Sequence, residues 1–569
     1  MSPRVQHLVA LTLLVAGGCL RFYDLGGNDF SAQEIARVNA ADPRYVSVDG
    51  VTVPATLQQP LLSQGLTGLA LRGGYDGWRL RLPSAVAGTA AALALWWLTL
   101  TVCGPEPALY AAALLAGSPL HLAVSRTVGS EALLSLLVIV TVQAFCWALQ
   151  APGETKRWAA ATGAALLACL AGDTALLLLA ALALSLAAQR RRLAGRARRV
   201  LVALILPGLA LGVWTFYHRP DAGGSLYHVH PGMAALLQSL ALLATGEPTA
   251  LVPGLVLAGC VVLGALWAEP ADRLGVVCSW VTVGVIGILV ADWLLQQQLV
   301  APQLSAILPG YVLLAAVGLA RVRRAVTPRA LQMTVAAAQV GVVGLVLWFN
   351  VRGGLASVYA PSAPWREAAA IVSANLRPDD AIAVLLERDS FLFYAPSLER
   401  RVPLLPRPSQ TPMLFSQPER GWLIVPAAAH LYPGWQTVDK WLRIYPPVDL
   451  SPAGGIEVLY VGHVSREVLL QEVAFFELPA STLVRGTLLV DLLVAAGPIP
   501  AVLWKVDQVA LARDVSLHNP ELLKAVAYLA QHGQGGRAAS LAYRLASADP
   551  DWAEARQTLA AFQPDPEPR

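Results

Sequence analysis

Leu20-Arg21-Phe22-Tyr23-Asp24-Leu25-Gly26, followed by Ser31-Ala32-Gln33-Glu34-Ile35-Ala36-Arg37, is the first polar stretch of the chain. An apolar run over residues 5–20 leads straight into it, and long apolar runs resume from residue 82. About twenty apolar residues cross a bilayer core. A loop carrying Asp24, Asp29 and Glu34 at the end of such a run therefore reads as the first loop at a membrane surface. Carboxylates gathered there are the first place to look for chemistry.

Composition supports that reading. Of 569 residues, 56% are hydrophobic and 14% are charged, whereas soluble domains carry roughly 25% charged residues. Candidate spans fall at residues 5–20, 82–103, 106–122, 128–149, 157–172, 174–189, 199–217, 250–268, 274–294, 303–320 and 330–349, about eleven in all. The first has no small-x-small cleavage site and reads as a retained span, not as a signal peptide. With Met1 in the cytoplasm, two arginine clusters land on the cytoplasmic side, as the positive-inside rule requires. One is Arg190, Arg191, Arg192, Arg196, Arg198 and Arg199; the other is Arg321, Arg323, Arg324 and Arg329. These clusters lie between apolar runs without interleaved aromatics, which argues against a nucleic-acid partner. The six cysteines form no CxxC pair and read as small buried hydrophobes.

On the opposite face this topology places the first loop, the loop at 218–249 and everything after residue 350. Pro60 to Arg72 and Met233 to Leu243 read as short interfacial helices. The expected divisions are a transmembrane domain at 1–350, an extracytoplasmic α/β domain at 351–465, a β-rich segment at 466–514 and a tetratricopeptide-like helical tail at 515–569. In the α/β domain, strands are predicted at Ala381–Leu386, Trp422–Val425 and Ile456–Val461. Leu488 to Val502 is apolar enough to suggest a twelfth span. Asp491 and Gly497-Pro498-Ile499-Pro500 interrupt it, and β-strands are the preferred reading. The single helical hairpin of the tail buries little surface alone, so it should dock on the preceding domain or on a protein partner.

Four stretches carry a resemblance to a known class. They are the opening stretch; Arg81-Leu82-Pro83-Ser84-Ala85-Val86-Ala87-Gly88; Ser118-Pro119-Leu120-His121-Leu122-Ala123-Val124-Ser125-Arg126 with Ser130-Glu131-Ala132-Leu133; and Trp365-Arg366-Glu367-Ala368-Ala369 with Asp380. The chain resembles the GT-C class of polyprenyl-phosphate-dependent glycosyltransferases, in its protein O-mannosyltransferase and aminoarabinose-transferase branch. The resemblance implies a polytopic helical membrane fold. It also implies transfer of a sugar from a polyprenyl-phosphate donor to a lipid, glycan or protein acceptor, in a bacterial plasma membrane. The family's acidic pair in the first loop is matched by Gln33 and Glu34. Its His-Pro-Pro-Leu-Tyr-like stretch is matched by Gln58-Gln59-Pro60-Leu61-Leu62, and an Arg-Tyr of the tenth span by Gln303-Leu304.

Such a transfer needs a carboxylate to take the acceptor's proton and cations to offset the charge of the leaving phosphate. Glu34 is the first candidate for the acid, Glu131 the second, and Asp29 a substitute for the acid missing at Gln33. Arg81, Arg126 and Arg219 are the candidates for the donor phosphate. The structural alternatives are a solvated loop carboxylate beside Arg37 for Glu34, a helix N-terminal carboxylate for Glu131, and snorkelling towards headgroups for the arginines. No cofactor is firmly expected. His228 and His230 have a metal-ligand spacing but lack a further clear ligand, so a divalent metal is the weaker alternative to a polar substrate-facing loop. A relative that binds polyprenyl lipid or a protein without turnover is the competing function. A transporter ranks lower, because the spans carry almost no charge at mid-depth.

Overall fold

The computed structural model describes residues 3–41, 60–172, 174–189, 233–246, 249–266, 273–295, 301–325, 329–355, 358–359, 363–403, 408–415, 420–431, 434–452, 454–513 and 517–562. The chain forms two compact units. The first comprises Met1–Asn28 and Ala36–Ala360, the second Asp29–Ile35 and Pro361–Arg569.

Helices make up the first unit: α1 (Pro3–Phe22), α2 (Ala32–Ala41, whose first turn falls in the second unit), α3 (Leu61–Leu71), α4 (Gly77–Cys103), α5 (Pro105–Ala116), α6 (Pro119–Ser125), α7 (Glu131–Gln150), α8 (Thr155–Ala171), α9 (Ala175–Ala188), α10 (Met233–Thr245), α11 (Leu251–Leu266), α12 (Arg273–Leu295), α13 (Leu308–Ala325) and α14 (Arg329–Phe349). Among the described residues α1, α4, α7, α12 and α14 are long and apolar enough to cross a membrane. The pair α5 and α6 makes a sixth span if its 60° bend is read as one broken helix. The short helices expected after Pro60 and from Met233 are α3 and α10. The span proposed at 199–217 and the arginines at 190–199 lie outside the described residues. The core is alanine- and leucine-rich, drawing Leu95 from α4, Ala111 and Leu115 from α5, Phe145 from α7 and Ala315 from α13. Small side chains at such contacts let helix backbones approach closely where no hydrophobic driving force separates helix from lipid.

Gly117-Ser118-Pro119 is the reason that α5 and α6 are not one helix. Pro119 has no N–H to give the carbonyl four residues back, and Ser118 starts the new helix by accepting from the His121 N–H. The bend leaves carbonyls at the end of α5 in need of donors.

The second unit is built on a four-stranded sheet in the order β1-β2-β4-β3, with β1 (Ala381–Val384) parallel to β2 (Arg420–Pro426). The other pairs, of β4 (Ile456–Gly462) with β2 and with β3 (Val448–Asp449), are antiparallel. The three predicted strands are all present. Alternate residues serve two cores: Ile382, Val384, Trp422, Ile424, Val458 and Tyr460 face one, and Ala383, Leu385, Leu423, Val425, Leu459 and Val461 the other. Covering helices are α15 (Trp365–Asn375), α16 (Arg388–Tyr394) and α17 (Trp435–Ile444). Glu472 gathers Arg377 at 2.8 Å, Arg420, and the Tyr460 hydroxyl at 3.0 Å. Burial, with the charge of Asp380, pushes the Tyr460 hydroxyl up to about 12, so it donates to Glu472 as a neutral phenol.

The β-rich segment expected at 466–514 is helical instead. It forms α18 (Arg466–Val473), α19 (Leu488–Ala496) and α20 (Pro500–Leu511). The buried residues of α19 are Leu488, Leu489, Leu492 and Leu493, a helical face. Asp491, which interrupts the apolar run as a membrane span, points away from that face and pairs with Arg466 at 2.6 Å. Gly497 ends the helix at φ +75 and Pro500 opens the next, the usual stop and start residues. Nine residues rise roughly 13 Å in a helix, well short of a bilayer core. The tail helices α21 (Glu521–Gln531), α22 (Gly535–Ala548) and α23 (Ala553–Ala560) bury Leu529, Leu541, Leu545 and Ala555 in the core that holds Trp422. The tail thus docks on the preceding domain.

Candidate functional site at the first loop

In the first unit, three arginines converge on the carbonyl oxygens at the end of α1 and beyond. Arg21 is fully buried. It donates to the Gly17 carbonyl at 2.6 Å and to the freed α5 carbonyls of Leu115 at 3.4 Å and Ala116 at 3.5 Å. Its Nη2 lies 2.7 Å from His121 Nδ1. A guanidinium can only donate, so that nitrogen accepts. Arg126 follows α6 and donates to the carbonyls of Leu20 at 3.1 Å, Asp24 at 3.2 Å and Tyr23. The face of Tyr359 covers its guanidinium at 4.3 Å, and the Tyr359 hydroxyl donates to the Leu20 carbonyl. Arg81, in the first turns of α4, donates to Leu25 O at 3.1 Å and Asn28 O at 2.9 Å. Tyr23 packs edge-on against Tyr359 and is 69% exposed, so this cluster has an open side.

Gly88 on α4 lets this cluster close, because a Cβ there would overlap Ser125 Oγ and approach Arg21 Nε at 3.4 Å. Gly88→Ala is expected to destabilise the first unit by about 1–3 kcal/mol through overpacking. Thermal unfolding in nanodiscs measures this, and an unchanged melting temperature contradicts the close approach.

The acids are placed differently. Glu34 is buried at 3% exposure, so it is not the solvated loop carboxylate of the structural alternative. It forms a capping box with Ser31 at the start of α2: Glu34 Oε2 accepts from Ser31 N at 3.0 Å and Ser31 Oγ at 3.2 Å, and Glu34 N donates to Ser31 Oγ at 3.3 Å. Asp29 accepts from the Arg366 N–H at 2.9 Å, at the first turn of α15, and pairs with its side chain at 3.3 Å. Phe30 stands beside it, donating its N–H to the Tyr394 hydroxyl at 2.8 Å and packing on Phe393. Asp29 and Glu34 therefore fall in the second unit, while Glu131, Arg81 and Arg126 fall in the first. Glu131, at the first turn of α7, takes a two-pronged contact from Arg37 of α2. Arg219, His228 and His230 lie outside the described residues.

Sequence reasoning missed Arg37 and Tyr359 as members of this constellation, and it gave Arg21 no role. Arg21 was visible in the quoted stretch, but its partners are about a hundred residues away. Nothing in the sequence marks Tyr359.

Comparison with known proteins agrees with this architecture. Residues 64–214 match the family model described as dolichyl-phosphate-mannose-protein mannosyltransferase. The apo structure of ArnT from Cupriavidus metallidurans superposes with a TM-score of 0.50 at 14% identity, covering 79% of this chain and 97% of ArnT. ArnT bound to undecaprenyl phosphate gives 0.49 at 15% identity with the same coverage. The oligosaccharyltransferase of Archaeoglobus fulgidus, in complex with zinc and sulfate, gives 0.46 at 12% identity, covering 79% of this chain and 72% of that one. No curated protein sequence matches the chain. The fold is that of the GT-C class of glycosyltransferases, and the protein is a multi-pass membrane protein.

Proposed function

We propose that the protein is a membrane glycosyltransferase that moves a sugar from a polyprenyl-phosphate donor to an acceptor on the extracytoplasmic face of a bacterial plasma membrane. The observation that carries this reading is the pair of buried guanidiniums, Arg21 and Arg126. Their hydrogen bonds and ring contacts are to carbonyl oxygens, His121 and Tyr359, not to carboxylates. Carbonyls take up N–H groups without carrying a full negative charge, and the buried Arg21 Nε has no hydrogen-bond partner among the described residues. Two buried guanidiniums held without a carboxylate hydrogen bond project a strong positive potential, here beside the exposed edge of Tyr23, and a phosphate monoester or diester suits it. The family model matching residues 64–214 names a polyprenyl-type phosphosugar as donor. Arg81 joins the same loop and Arg219 extends the set. Glu34 takes the acceptor's proton, and the acceptor is a lipid, glycan or protein hydroxyl or amine. Placement of the second unit outside follows from the arginine clusters of the sequence.

The test is binding. The purified protein in nanodiscs is titrated with undecaprenyl phosphate, and copurified lipid is identified by mass spectrometry. Saturable binding that weakens with salt and falls about tenfold or more in Arg126→Gln is expected, since a charge-assisted contact contributes roughly 1.5–3 kcal/mol. Absence of binding overturns the reading.

A second reading has its own observation. Asp29, Glu34 and Glu131 all have structural partners, in a helix cap, a capping box and an ion pair. A diverged relative that binds polyprenyl lipid, or a partner, without turnover needs no more than that. Bound lipid with no sugar transfer is its signature.

A further inference from the structure

Glu131 and Arg37 meet through two contacts, Arg37 Nη1 to Glu131 Oε2 at 3.2 Å and Arg37 Nη2 to Glu131 Oε1. Arg37 Nη1 also donates to the Val128 carbonyl at 2.7 Å. The side chains are 25% and 13% exposed, so solvent screens them little. The turn between α6 and α7 is shaped around them. A Cβ at Gly129 would overlap both the Arg37 guanidinium and the Glu131 carboxylate, and the Gly129 carbonyl is held by Ser84 Oγ of α4 at 3.2 Å. One arginine thus fastens α2 to the start of α7 by a fork that fits a carboxylate and no other side chain as well. Arg37 stands three residues after Glu34, one helical turn along.

Resting on the transferase reading above, we propose that Arg37 and Glu131 are a positioning clamp. Glu131 does not exchange a proton in the reaction; it fixes α2, and through that helix the direction of Glu34. Both oxygens of the Glu131 carboxylate are turned to the Arg37 guanidinium. Loss of the clamp leaves donor binding in place and misplaces the acid, and a displacement of about 1 Å costs roughly 10²-fold in rate.

The full-length protein in nanodiscs is compared with Arg37→Glu, Glu131→Arg and the double charge swap. Two readouts are taken: thermal unfolding, and turnover of an undecaprenyl-phosphate-linked sugar. Each single variant is expected to lower both the melting temperature and kcat, with the KM for donor nearly unchanged. The swap restores most of the melting temperature and of kcat. Glu131→Gln retains the shape of the wild-type pH profile. If the swap is as impaired as the single variants in both readouts, the clamp is wrong. If stability returns and kcat does not, or if Glu131→Gln removes a limb of the pH profile, Glu131 itself takes part in the chemistry and the positioning role is overturned. If the wild-type protein turns over no donor, the transferase reading fails; thermal effects that simply add in the swap then overturn the clamp, and rescue supports it as a fastening.

Discussion

Glu34→Gln is expected to slow sugar transfer by about 10²–10⁴-fold, the usual worth of a positioned general base. The substitution separates two roles that alanine would confound. Glutamine at the third position of a helix supports a capping box as glutamate does, so Ser31 keeps its partner and α2 keeps its start. Only the charge and the basicity are removed. Ser31→Ala is the converse control: it weakens the box, costing about 0.5–2 kcal/mol of stability, and leaves the carboxylate. Release of polyprenyl phosphate from a labelled donor reads the rate, and circular dichroism with thermal unfolding reads the fold. Wild-type turnover in Glu34→Gln makes Glu34 a cap and nothing else.

Arg21→Ala carries the largest expected structural effect. Removing the guanidinium strands the Ala116 carbonyl at the α5 break and Nδ1 of His121, both buried, and takes a second donor from the carbonyls of Leu115 and Gly17. Each unsatisfied group costs about 1–3 kcal/mol. With partial relaxation the loss should exceed roughly 3 kcal/mol. Arg21→Lys keeps the charge but has one nitrogen for a forked site, and should fall between alanine and wild type. Thermal unfolding in nanodiscs reads this series. Equal melting temperatures for all three proteins contradict the role of Arg21 at the break.

What the sequence made legible and what it hid divide along a physical line. Apolar length is a local property. The helices at 77–103, 131–150 and 273–295 follow from runs that only a bilayer or a helical core can hold. The strands of the second unit were equally local, being short runs bounded by turn residues. The polar side chains depend instead on what meets them. Arg21 has no legible role until His121 and the bent α5 are beside it. Glu34 reads as a loop acid until Ser31 is seen to face it in a capping box. Glu131 reads as a second acid until Arg37, ninety-four residues earlier, closes on it. The segment 466–514 is ambiguous in sequence because an apolar run of nine residues fits strand and helix alike, and Gly497 to Pro500, which argue against a membrane span, are equally the stop of one short helix and the start of the next.

The most direct measurement of the central claim is turnover by the purified wild-type protein. Proteoliposomes holding undecaprenyl-phosphate-linked sugars and a crude envelope fraction as acceptor are followed by mass spectrometry for loss of sugar from the donor. The expected result is release of undecaprenyl phosphate matched by a newly glycosylated acceptor, abolished in Glu34→Gln and weakened in Arg126→Gln. Bound donor that stays intact under every acceptor fraction would contradict it and leave a lipid-binding relative of the GT-C fold.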